Sequence, residues 1–317
     1  MDRDADHGIR TLLPPDKQTD MKYISHMIRK INHLQEQASA LLSINKRNLL
    51  FIYPHNARKD YPLADDKLQT KILLQARAIS VPETYVVYSY FYQLDKLEAD
   101  LLAYNEFVIK PAHGRAGGGI IIITGKADGE WIGINNKRYS SDELKHHITE
   151  IIFGVYSFDM KDHAIIEKRI LQHEDINALS PFGLSDIRVI LCRNTPVMAM
   201  ARLPTIASGG RANIHQGAIG VGIDLESGIT RHAVHHDVAV THHPDTDSPL
   251  INRLIPFWPQ IIAISIAAAE ALPLKYIGAD VAVTATGPLI IELNVRPGLA
   301  IQAANDASLL EKLATIG

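Results

Sequence analysis

The sequence predicts an α+β protein with mostly antiparallel sheets. Apolar residues recur at three- and four-residue spacings in a few separate segments, the signature of amphipathic helices. Short β-branched runs follow one another across hairpin-length gaps, which suits antiparallel pairing. No internal repeat or low-complexity linker interrupts this pattern.

In chain order, residues 1–20 mix charges with Gly8 and Pro14-Pro15 without any period, so they read as a mobile tail. From Met21 to about Ser43, Ile24, Met27, Ile28, Ile31, Leu34, Ala38, Leu41 and Leu42 fall on one helical face. Asn48–Tyr53 is predicted as a strand closed by Pro54. A helix follows from Asp65 or Asp66 through Ala78, with an aspartate as N-cap. The next strands are Tyr85–Tyr88, Phe107–Ile109, Ile120–Thr124, Ala164–Ile166, Ile187–Leu191 and Pro196–Ala201. Ser140 or Ser141 caps a helix reaching about Phe153. A helix over Pro259–Leu272 precedes strands Gly278–Val283 and Pro288–Leu293, joined by Thr284–Gly287.

The chain has 317 residues, room for one large domain or two to three small ones. With 46% hydrophobic and 21% charged residues it is globular rather than disordered or fibrous. Its formal net charge of −3 argues against bulk electrostatic binding to nucleic acid or anionic membrane. One cysteine, Cys192, excludes an intrachain disulfide framework and any cysteine-rich metal site. In its apolar run, Cys192 reads as a buried small hydrophobe. The start lacks a signal-peptide core. The most apolar helical stretch, Ile261–Leu272, carries Glu270 and falls well short of the roughly 20 residues needed to span a bilayer. A cytoplasmic address is therefore expected.

Two segments carry chemistry. After the apolar run Phe107–Ile109 come Lys110, then Gly114, Gly117, Gly118 and Gly119, then Ile120–Ile123. The glycines allow positive φ and let backbone N–H groups crowd around an anion. A strand follows them instead of a helix, so neither a P-loop nor a dinucleotide fingerprint fits. A flap closing over a polyphosphate, with Lys110 as its cation, and an ordinary glycine-rich hairpin with an exposed lysine both remain open from this segment alone. Near the C-terminus, Asp280 lies on one strand, and Glu292 and Asn294 share a face at the end of the next. Three hard oxygen donors of this kind suit Mg²⁺, which is held by one or two carboxylates plus phosphates and water. Arg296 and Pro297-Gly298 follow directly.

Lys110 with its glycine loop, Ile165–Ile170, Asp186-Ile187-Arg188 and Glu292–Gly298 resemble the ATP-grasp ligases in order and spacing. Tyr61–Lys67, Pro196–Met200, Ala212–Gly217 and Arg296–Asn305 bring the resemblance closer to the alpha-L-glutamate ligase-like proteins, relatives of the RimK-type enzyme that adds glutamates to a ribosomal protein. It covers roughly residues 45–310. The resemblance implies an ATP-grasp fold in which two α+β subdomains clasp ATP. Residues 1–60 would be an N-terminal tail and helical segment, and 61–317 the ATP-grasp body. Within that body, a nucleotide flap spans about 84–170 and a metal-binding, catalytic part about 171–317.

The resemblance also assigns roles. Lys67 and Lys110 contact phosphates. Glu167 to Ile170 form the hinge that reads adenine through backbone groups, chiefly at Lys168 and Ile170. Glu174, with Asp175 as substitute, accepts from the ribose hydroxyls. Asp280, Glu292 and Asn294 ligate two Mg²⁺ ions, with Mn²⁺ as an alternative. Arg188, Arg202, Asn213 and Arg296 surround the transferred phosphate. The implied reaction joins a glutamate-like acid to a peptide, protein or small amine through an acyl phosphate. A non-catalytic ATP sensor or assembly module and a phosphotransferase use the same site. About sixty residues precede Asp66-Lys67, where many ATP-grasp enzymes carry an α/β domain. A homo-oligomer or protein partner is therefore expected to complete the acceptor site.

Of the fifteen histidines, five fall between His232 and His243. An exposed polar segment, a substrate-facing loop and a metal site are weighed there, in that order. His215, beside Asn213, suits either a structural hydrogen bond or a substrate contact.

Overall fold

Every strand pairing among the described residues, 41–114 and 117–316 of this computed structural model, is antiparallel. The first sheet holds β1 (Thr84–Tyr88), β2 (Phe107–Pro111), β3 (Ile121–Ala127), β4 (Glu130–Gly133), β5 (Arg138–Tyr139) and β6 (Ala164–Glu167). Their spatial order is β1-β6-β2-β3-β4-β5. The second sheet holds β7 (Asp186–Cys192), β8 (Thr195–Leu203), β9 (Ile219–Ile223), β10 (Thr230–His235), β11 (Val238–Ala239), β12 (Tyr276–Thr284) and β13 (Gly287–Asn294). Its order is β11-β10-β9-β8-β7-β12-β13.

Each sheet has its own apolar core. Helix α1 (Lys67–Gln75) starts where the side chain of Asp66 accepts from the amides of Leu68 and Gln69, and its Leu74 is buried in the core of the second sheet. Helix α2 (Ser141–Ile152) opens on a reciprocal capping box between Ser140 and Glu143. Its stripe of Leu144, Ile148 and Ile151, spaced by four and three, is fully buried with Phe107, Ile109, Ile123 and Trp131 of the first sheet. Each such side chain contributes about 1.5–3 kcal/mol by leaving water, so Ile148→Asp would detach the helix. Helix α3 (Trp258–Glu270) buries Ile261, Ala268 and Ala269 on the second sheet, against β13, β12, β7 and β8.

The predicted strand at Asn48–Tyr53 is a correction: the segment is helical from Ile44 to His55, with a π-turn at Asn48–Ile52. A short apolar run does not separate strand from helix, and packing decides here. Ile52 is buried while Leu49 and Leu50 are exposed, a one-sided pattern that a strand's alternation would not produce. The buried Arg47 donates to the carbonyl of Pro297 at 2.6 Å. Asn56 then caps the start of β12, accepting from the amides of Lys275 and Tyr276 and donating to the carbonyl of Tyr276. These bonds stitch residues 42–60 into the unit Leu42–Gly317. The tail 1–20 and most of the Met21–Ser43 helix lie outside the described residues, and Leu41–Ser43 are not helical.

Candidate functional site

A cleft of about 1980 Å³ is walled by both sheets, the N-terminus of α1, the glycine loop, the segment after β6 and the loop around residues 205–213. Lys67, on the first turn of α1, donates from Nζ to the carbonyl of Gly114 at 2.8 Å and lies 3.4 Å from Glu292. Gly114 is required by close approach, because a Cβ there would come within 2.1 Å of Pro111. Gly117 has φ +77°, and the Arg211 side chain lies where its Cβ would make contact. Of the four predicted glycines, Gly114 and Gly117 line the cleft. Gly118 is exposed, and the Gly119 carbonyl pairs with His147 instead.

At the end of β6, the Glu167 carboxylate lies between two lysines: Oε1 is 2.5 Å from Lys110 Nζ and Oε2 is 2.7 Å from Lys71 Nζ. All three side chains are no more than 6% exposed. Burial opposes ionisation of Glu167, yet Lys110 and Lys71 together hold its carboxyl below the usual range. Sequence reading missed Lys71, although Lys67-x-x-x-Lys71 places it one helical turn beyond Lys67. The backbone N–H of Lys168, expected to read adenine, donates to the Glu83 carbonyl at 2.8 Å. Ile170 lines the cleft.

Glu174 and Asp175 do not reach the cleft. The chain turns at His173, whose amide is pinned by the Val283 carbonyl and whose ring accepts from the Asp175 amide. That turn starts the Glu174–Leu179 helix and leaves both acids exposed, with Gln172 and Asn177 facing the cleft in their place.

Strand register builds the acidic rim. Asp280 on β12 stands opposite Arg188 of β7 on one side and Glu292 of β13 on the other. Asp186 of β7 stands opposite Arg202 of β8. Arg188 forks onto Asp280 with two bonds of 2.7 Å. Arg202 forks onto Asp186 at 2.6 and 2.5 Å and adds a 2.7 Å bond to Asp280. Asn294 donates to Asp280 at 3.1 Å. The predicted phosphate-binding arginines thus hold carboxylates here, and Asp186, absent from the predicted site, completes a balanced cluster of two acids and two guanidiniums. Burial opposes ionisation of Asp280, but Arg188 and Arg202 bring its pKa down to about 2. Burial pushes Asp186 up to about 6 against the pull of Arg202, the Asp280 anion adding to the rise.

The donor types, two carboxylates and a carboxamide on one rim with Glu292 partly exposed, suit a hard divalent cation, while both Asp280 oxygens are here engaged by Arg188, Arg202 and Asn294. Among the described residues no group of three His, Cys, Asp or Glu side chains could hold a metal unaided. Arg296, Asn213 and Arg211 also line the cleft. Arg296 bonds Asp65 at 3.2 Å and lies over the Tyr61 ring, while Asn213 caps a short 3₁₀ turn by accepting from the His215 amide.

The histidines divide. His215 is exposed and does not line the cleft. The cluster expected to be exposed is partly structural. His243 is buried on the Pro204 carbonyl, and His235 and His232 pair with the carbonyls of Gly217 and Ala304. His236 and His242 are exposed. Cys192 is buried.

The sequence profile of the sugar-transfer associated ATP-grasp family matches residues 46–317. Comparison with curated proteins gives no match. Among solved structures, the chain is similar to the ATP-grasp ligase PsnB complexed with a minimal precursor, at 13% identity and TM-score 0.43, covering 83% of this chain and 62% of that one. It is also similar to D-alanine–D-alanine ligase from Bacillus anthracis complexed with ATP, at 17% identity and TM-score 0.44, covering 80% and 63%. VanG D-Ala:D-Ser ligase from Enterococcus faecalis is similar at 16% identity and TM-score 0.46, covering 80% and 62%. The chain thus spans less than two thirds of the length of these structures. The profile match covers most of the sequence, and the chain belongs to the sugar-transfer associated ATP-grasp family.

Proposed function

We propose that this chain is an ATP- and Mg²⁺-dependent carboxylate–amine ligase. The observation that carries the reading is convergence: Lys67, Lys110, Arg188 and Arg202 line the same cleft as Asp280, Glu292 and Asn294. In the first half-reaction, a carboxylate oxygen attacks the γ-phosphorus of ATP. The bond to the β,γ-bridging oxygen breaks, leaving ADP and an acyl phosphate. In the second, an amine attacks the acyl carbon, phosphate leaves and the amine loses a proton.

The residues have separate tasks. Lys67 and Lys110 contact the phosphates from the glycine-loop side. Arg188 and Arg202 face them from the sheet, where preorganised donors stabilise charge on the transferring group. Asn213, Arg211 and Arg296 border the acid end, where orientation of the carboxylate supplies up to about 7–11 kcal/mol. Asp280, Glu292 and Asn294 would hold Mg²⁺, or Mn²⁺ in its place; two such ions supply neutralisation of the phosphates when bound. A glutamate-like acid and a peptide, protein or small amine remain the proposed substrates.

Hydroxylamine tests the reaction class. Incubated with ATP, Mg²⁺ and candidate acids, the protein should release ADP and form a hydroxamate. ADP release with no hydroxamate would indicate phosphotransfer to a stable ester, and nucleotide binding with neither product would indicate a sensor.

A further inference from the structure

Lys71 is a buried cation outside the cleft wall, and neither the family resemblance nor the proposed reaction uses it. It projects from α1, whose Leu74 is buried in the core of the second sheet, and reaches Glu167 at the end of β6 in the first. The ion pair therefore crosses from one sheet's core to the hinge of the other. Charge accounting gives it a role. Glu167 carries one negative charge and has a lysine on each oxygen, so the triad holds one surplus cation. Lys110 lines the cleft, and its ammonium sits on a flexible stem. Were Lys110 the sole partner of Glu167, moving it onto a phosphate would strand a buried carboxylate, and an unpaired buried charge is strongly unfavourable. Lys71 removes that penalty.

We propose that Lys71 is a positioning residue that frees Lys110 for the nucleotide. It keeps the Glu167 carboxylate paired while Lys110 transfers to a phosphate oxygen, and so sets nucleotide affinity. The proposal rests on the nucleotide role assigned to Lys110 above.

The test is calorimetric titration of the full chain with Mg²⁺ and a non-hydrolysable ATP analogue, with urea unfolding recorded for each variant. K71M leaves Glu167 and Lys110 as a neutral pair, so the fold is kept, and binding should weaken on the order of 10- to 100-fold. K71R should stay within about threefold of wild type, because a guanidinium also pairs the carboxylate. K71M/E167Q, which removes the anion that traps Lys110, should recover to within about threefold of E167Q. K71M binding as tightly as wild type overturns the proposal, as does K71M/E167Q binding as weakly as K71M. A K71M variant with a lower unfolding midpoint and unchanged affinity also overturns it, since that is what a purely structural lysine predicts. Failure of the wild-type chain to bind the analogue overturns the ligase reading and this proposal together; wild-type binding matched by K71M overturns this proposal alone.

Discussion

The two charged clusters of the cleft neutralise themselves in different ways. On the second sheet, Asp186 and Asp280 meet Arg202 and Arg188 one for one through planar forks. At the end of β6, Glu167 faces two lysines and leaves a cation in surplus. A guanidinium fork fixes direction as well as charge, whereas an ammonium is a point charge that can change partners without a geometric penalty. The sheet cluster is thus the more fixed of the two, and the cluster at the end of β6 is the one in which a lysine can change partners.

Asp280→Ala breaks the balanced cluster most severely. It strands Arg188 and part of Arg202 in a buried site, with an expected loss of about 3–5 kcal/mol of stability. Urea unfolding measures it; a loss below about 1 kcal/mol would mean that the guanidiniums find water and the cluster is not rigid. Lys110→Met sharpens the other side of the contrast. Glu167 keeps Lys71, so stability should change by no more than about 1 kcal/mol, while nucleotide binding falls by an order of magnitude or more. A large stability loss together with intact binding would reverse the two assignments.

The smallest effect concerns His113, which anchors the start of the glycine loop on Asp162 at 2.9 Å and lies 3.5 Å from Asp66. Its hydrogen bond to Asp162 raises its pKa above the ordinary 6.5 against the opposing effect of burial, with Asp66 adding to the rise. The folded state therefore favours the imidazolium. The stabilisation is complete below about pH 6.5 and is lost as pH rises through the raised value. Unfolding free energies from about pH 6 to pH 9 should show that decline in the wild type and a flatter profile in His113→Gln. An identical slope in both would assign the decline to another group.

Much of the fold is legible where the signal is local. Ser140 with Glu143, Asp66 before Lys67 and the apolar stripe of α2 each lie within one or two helical turns, and each forms the element they predict. The α1 helix ends at Gln75, short of the predicted Ala78, which adopts φ +56°. Asn48–Tyr53 misleads because four apolar residues in a row suit either a strand or a helix, and Arg47, Ile52 and Asn56 find partners only in the folded body. Glu174 misleads for a related reason: spacing after the hinge counts residues, but the turn at His173 decides which of them face inward.

By itself the sequence determined the residue types of the site: lysines around a glycine loop, and Asp280, Glu292 and Asn294 near the end of the chain. It also determined the alternation and capping that make the sheets and helices. Only the tertiary structure decided which charges meet. Asp186 and Asp280 find their arginines through the registers of β7 with β8 and β12, and Lys71, Lys110 and Glu167 come from three elements far apart in the chain. Periodicity acts over a few residues, whereas an ion pair depends on a distance of a few ångströms that no local spacing encodes.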